Sequence, residues 1–95
     1  MAVYKDKQIE GFIEDLKNIA KENGITVRFE KGDFKGGFCI LKDSRLIVIN
    51  KNFDLKRKAV TLVRSIKEIG IDQNTYISPQ LQQFIEDHID ENIDN

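Results

Sequence analysis

A chain of 95 residues with 40% apolar side chains holds one hydrophobic core and leaves no room for a second domain. Its 15 basic and 16 acidic residues nearly cancel, for a formal charge of -1 and a pI near 5.8, which excludes a uniformly cationic surface of the kind that grips nucleic acid or anionic lipid. Cys39 is the only cysteine, so no intrachain disulfide forms, and with charges at Lys5, Asp6, Lys7 and Glu10 where a signal peptide needs an apolar run, and Leu46 to Ile49 as the longest aliphatic stretch, the expectation is a cytoplasmic protein with no membrane segment.

Ile9, Phe12, Ile13, Leu16, Ile19 and Ala20 recur at helical spacing and predict a first helix, with Asp6 as its N-cap and Asn23-Gly24 as a left-handed stop. Ile25, Val27 and Phe29 then alternate with Thr26, Arg28 and Glu30, the period of a strand with one wet face. Lys31-Gly32-Asp33 turns the chain. Phe38 to Leu41 predict a second strand, with Gly36-Gly37 marking a bulge or a close backbone approach, and Lys42-Asp43-Ser44 makes a short hairpin loop. Arg45 to Asn50 follow as a third strand, whose unbroken Leu46-Ile47-Val48-Ile49 predicts burial on both faces.

Leu55, Ala59, Leu62, Val63, Ile66 and Ile69 line one side of a second helix that Gly70 ends. Ser78-Pro79 starts a third, which buries Leu81, Phe84, Ile85 and Ile89, and the acidic end from about residue 90 is expected to fray. The order is α-β-β-β-α-α. It predicts a single α+β domain over residues 1–95, a three-stranded, mainly antiparallel sheet covered by helices.

Charge is segregated along the chain. Between Lys51 and Lys67 six cations (Lys51, Lys56, Arg57, Lys58, Arg64, Lys67) face only Asp54, whereas Glu86, Asp87, Asp90, Glu91 and Asp94 meet no cation after residue 85. The basic set is the candidate interaction surface, and its acidic counterpart on the third helix makes a protein partner, or the pairing of two copies, the expected use.

Gly24-Ile25, Gly36-Gly37, Ile47-Val48-Ile49-Asn50, Arg57 and Thr61-Leu62-Val63 stand in an order that resembles the ImmA/IrrE type of metallopeptidase, a minigluzincin-like group, over roughly Ile9 to Gly70. In that family the second helix carries His-Glu-x-x-His, because residues four apart share a face and reach one metal. Here Arg64, Ser65 and Glu68 occupy the metal-site positions, so the resemblance implies a scaffold without zinc, without another cofactor and without peptidase chemistry, in which Arg64 and Glu68 form a surface ion pair.

The element order is also similar to that of the double-stranded-RNA-binding domain, and Lys56-Arg57-Lys58-Ala59 stands where that family has Lys-Lys-x-Ala at the start of its second helix. That resemblance implies phosphate contacts by these cations, as the alternative to a protein partner. The Gly-rich segment that precedes this helix in the family is missing.

Elsewhere the expectations are structural. His88, seven residues after Leu81, is a half-buried histidine on the apolar side of the third helix; Cys39, among Phe38, Ile40 and Leu41, is an inert core thiol, and a Cys39-His88 dyad would lack an orienting third group. Glu10, Glu14, Lys17 and Lys21 mark a solvated face of the first helix. Tyr4, Tyr76 and Ile77 serve as lids on the core or as parts of a partner surface.

Overall fold

The computed structural model describes residues 3–32 and 35–88; Asp33 of the expected turn, the expected burial of Ile89 and the expected fraying from about residue 90 lie outside these residues. In chain order the elements are α1 (Asp6–Glu22), β1 (Thr26–Glu30), a 3-10 turn (Lys35–Gly37), β2 (Phe38–Leu41), β3 (Leu46–Asn50), α2 (Leu55–Ile69) and α3 (Pro79–His88). The α+β class and the α-β-β-β-α-α order are those predicted. One cap moves: Lys5 is the N-cap of α1, its N–H donating to Gln8 Oε1 at 2.9 Å, and Asp6 is the first helical residue, where a negative charge suits the positive end of the helix dipole.

The sheet is mixed rather than mainly antiparallel. Its strand order is β1-β3-β2, with β3 antiparallel to its hairpin partner β2 and parallel to β1. The most aliphatic strand thus takes the middle, where both edges are hydrogen-bonded and its inward side chains are sealed: Ile47 and Ile49 have no exposed surface. Each such side chain contributes about 1.5–3 kcal/mol of apolar burial.

Register separates the two faces. Val27, Ile47 and Ile40 lie side by side, as do Phe29, Ile49 and Phe38, and Val27, Phe29 and Phe38 pack on the core beneath the helices. On the opposite face sit Thr26, Leu46 and Leu41, then Arg28, Val48 and Cys39. Two expectations change here. Leu46 and Val48 are only half-buried, so β3 is sealed on one face alone, and Cys39 is exposed rather than a core thiol, because its neighbours Phe38 and Ile40 take the inward positions.

α2 is the central helix. Asp54 caps it, accepting from Arg57 N–H at 2.8 Å, and Gly70 at φ 96° ends it. The five consecutive residues Ala59 to Val63 are all buried, and at 100° per residue they point in every direction around the axis. α1 packs along one side, the sheet along another, and α3 approaches from a third. α3 starts at Pro79 as expected, with Ser78 Oγ accepting from Leu81 N–H at 3.2 Å.

Two side-chain contacts fix how the loops meet α2. The Arg45 guanidinium donates to the carbonyls of Asn23, at 2.7 Å, and Gly70, at 3.4 Å, so one cation serves the C-terminal ends of α1 and α2, where helix dipoles are negative. Phe53, just before α2, lies between Gly37 and Arg57: the Arg57 guanidinium carbon stands 3.9 Å from the ring centroid, and a Cβ on Gly37 would collide with Phe53 Cζ. Of the two uses foreseen for Gly36-Gly37, the close approach is the one found.

Gly37 also has φ 81°, which L side chains rarely adopt. We expect Gly37→Ala to lower unfolding free energy by roughly 2–4 kcal/mol in denaturant titration, and by only about 1–2 kcal/mol in a Phe53→Ala background, where the ring clash is gone and backbone strain remains. Equal losses in both backgrounds would show that the ring contact does not constrain the loop.

Candidate functional site

The residues at the metal-site positions do not converge. Arg64 is half-buried, Glu68 is exposed and Ser65 is fully buried, one side of α2 carrying them into three environments. The salt bridges among the described residues are Lys17–Glu14 and Arg28–Glu30, so the expected Arg64–Glu68 pair is not among them. Among the described residues no group of three or more His, Cys, Asp or Glu side chains is placed to hold a metal ion. Ser65 Oγ, and Thr61 Oγ1 one turn before it, have no hydrogen-bond partner there.

The six basic residues are Lys51 in the loop before α2, Lys56, Arg57 and Lys58 in its first turns, and Arg64 and Lys67 in its second half. Lys51, Lys56 and Lys67 are exposed, whereas Arg57, Lys58 and Arg64 are half-buried. Arg57 is stacked on Phe53, and the Lys58 ammonium lies 5.7 Å from the centroid of Phe29. The buried middle of α2 divides them, so they do not form one continuous face.

Lys58 instead belongs to a groove that sequence reading missed. It lies between α1, β1 and the first turn of α2, with a volume of about 480 Å³. Ile13, Phe29 and Leu55 make its apolar floor, and Glu10, Glu14, Lys17 and Lys58 line its sides. Lys17 Nζ stands 5.9 Å from the Phe29 centroid and 3.4 Å from Glu14 Oε2. The supposed solvent face of α1 is therefore partly a groove wall, and Lys21 alone of its four charges lies outside it. The alternation of β1 announced that Phe29 faces inward, but nothing in the sequence announced that the ring would meet lysines from two helices. A second, smaller groove of about 210 Å³ runs between α1 and the segment before α3, past Ile19, Tyr76 and Leu81.

The outer face of the sheet is the other candidate. Leu41 pairs with Leu46 and Cys39 with Val48, which gathers an apolar strip with Leu41 45% exposed. Arg28 and Glu30 border it on β1, 3.5 Å apart. None of these apolar side chains belongs to the core cluster.

His88 is buried rather than half-buried, in an aromatic cluster at the junction of α1 and α3. Its ring lies 4.6 Å from Phe84, which in turn stands 4.9 Å from Phe12 and 5.2 Å from Tyr4. Of the two roles foreseen, Tyr4 and Ile77 pack on the core, whereas Tyr76 is 77% exposed. The Tyr4 hydroxyl donates to Asp87 Oδ2 at 2.6 Å. That bond to an acceptor, with burial and the nearby negative charge, pushes the phenol up to about 12, and the same bond, with a second from Gln83, holds the Asp87 carboxyl below the usual carboxylate range.

No family model, curated protein or solved structure matches the chain. No helix among the described residues is long and apolar enough to cross a membrane.

An unpaired buried hydroxyl costs about 1–3 kcal/mol, and alanine is the better helix former, so Ser65→Ala is expected to raise stability by roughly 1 kcal/mol in denaturant titration. A loss of that size would assign the Ser65 hydroxyl a bonded role. The tyrosine lid gives a pH dependence at both ends. Tyr4, raised when folded, contributes stability that is complete below about pH 10 and lost as pH climbs toward 12; Asp87, lowered when folded, contributes stability that is complete above about pH 4 and lost on acidification. In Tyr76→Phe, where Tyr4 is the one tyrosine left, ultraviolet absorbance should place phenolate formation near pH 12, and adding Asp87→Asn should bring it back toward 10.

Proposed function

We propose that this protein is a non-catalytic interaction module on a zincin-like scaffold, working through protein contacts made by the outer face of its sheet, with a second copy of the chain as partner. The observation that carries the proposal is the strip of Leu41, Leu46, Val48 and Cys39 on a sheet face that no described helix covers. An apolar sheet face is one of the ordinary ways to build a layer-on-layer contact.

Charge favours self-pairing. Arg28 and Glu30 have opposite sign on one face of one strand, so a two-fold axis that passes between them sets each against its opposite in the other copy. A formal charge of -1 opposes the approach of two copies only weakly. Three strands about 4.8 Å apart, each rising about 3.3 Å per residue, span only a few hundred Å² per partner, so the contact is weak and reversible. For duplex RNA, the alternative, support is thinner: Arg57 and Lys58 are held over Phe53 and Phe29, and affinity for phosphates grows with clustered cations.

Sedimentation velocity across a concentration series should show a monomer–dimer equilibrium with Kd on the order of 10–100 μM, weakened at least tenfold by Val48→Asp while thermal stability changes little. A wild-type protein that stays monomeric throughout the series would sink the proposal.

A further inference from the structure

We infer that the groove between α1, β1 and the first turn of α2 is a binding site for a small organic monocarboxylate with an aryl or branched alkyl body. The inference is independent of the self-pairing proposed above, because the groove opens on the helix side of the sheet and the apolar strip lies on the other.

The floor comes from three elements. Ile13 of α1, Phe29 of β1 and Leu55 of α2 meet in a space of about 480 Å³, within the roughly 300–1,000 Å³ range of small-molecule sites. Phe29 lies near the carboxyl end of β1, which runs parallel to β3, and α2 begins just after β3. Crevices outside the carboxyl ends of parallel strands are where open sheets take ligands.

The charges choose the ligand. The ammonium groups of Lys17 and Lys58 both stand within 6 Å of the Phe29 centroid, at 5.9 and 5.7 Å, so two cations border the groove and the positive edge of the ring, rather than its face, is where an anion sits. Lys17 already has Glu14 as counter-ion, whereas Lys58, half-buried, makes no salt bridge among the described residues. An incoming carboxylate supplies the missing charge with charge-assisted hydrogen bonds. At the N-terminus of α2 the Arg57 N–H already donates to the Asp54 side chain, whose negative charge disfavours a second anion there. Glu10 and Glu14 on the α1 wall repel a second negative charge, which selects monoanions over phosphates and dicarboxylates.

The test is an amide NMR titration of the whole chain with phenylpropionate, with phenethylamine, which has a similar body and the opposite charge, and with propionate, which lacks the ring. Phenylpropionate should give saturable shifts centred on Ile13, Phe29, Leu55 and Lys58, with Kd on the order of 1 mM as befits a ligand of its size, and the other two should not saturate. Lys58→Gln, which keeps the alkyl stem on Phe29, should weaken binding about tenfold with the spectrum otherwise folded, and Lys17→Gln by a smaller factor. Failure of phenylpropionate to saturate, equal binding of phenethylamine, or a Kd unmoved by Lys58→Gln would each overturn the assignment.

Discussion

The placement of β3 between β1 and β2, with Ile47 and Ile49 sealed beneath α2, is the constraint on which the rest of this structure depends. A central strand can bury its inward side chains completely, and the helix that follows it must then lie across the sheet to cover them. α2 does so, and with α1 and α3 packed against it Ala59 to Val63 have no outer face. Two consequences matter for function. The basic residues of α2 fall on either side of the buried stretch Ala59 to Val63, and the helices, all engaged on the inner side, leave Leu41, Leu46 and Val48 on the outer one.

Several charged side chains that invite a functional reading are occupied by architecture. Arg45 answers the carbonyl ends of two helices at once, and Arg57 closes a stack on Phe53 that begins at the backbone of Gly37. Asp87 holds Tyr4 over the rings that join α1 to α3. Lys58 differs from these: its ammonium is set over an aromatic ring in a groove without a salt-bridge partner among the described residues. The contrast separates cations that finish a fold from one that offers a ligand something to neutralise.

Much of the fold was legible because its signals are local. The helical apolar spacing of α1, the stops at Gly24 and Gly70 and the Ser78-Pro79 start each depend on residues within a turn of one another. The site was far less legible. His-Glu-x-x-His positions four apart suggested a shared face, yet Ser65 is buried, Arg64 half-buried and Glu68 exposed, because α2 is surrounded unevenly by other elements. Cys39 was misplaced for a related reason: Phe38 to Leu41 are all apolar, so composition alone gave no phase for the alternation.

By itself the sequence determined the class, the element order and the ends of most elements, since helix periodicity, caps and glycine stops act over a few residues. Only the tertiary structure decided that β1 joins β3 in parallel, that α2 is enclosed, that Phe29 receives lysines from two helices and that one sheet face stays open. These are facts of long-range pairing and packing, in which the burial of Ile47 and Ile49 outweighs any local preference, and a linear pattern carries no record of which distant residues will share that core.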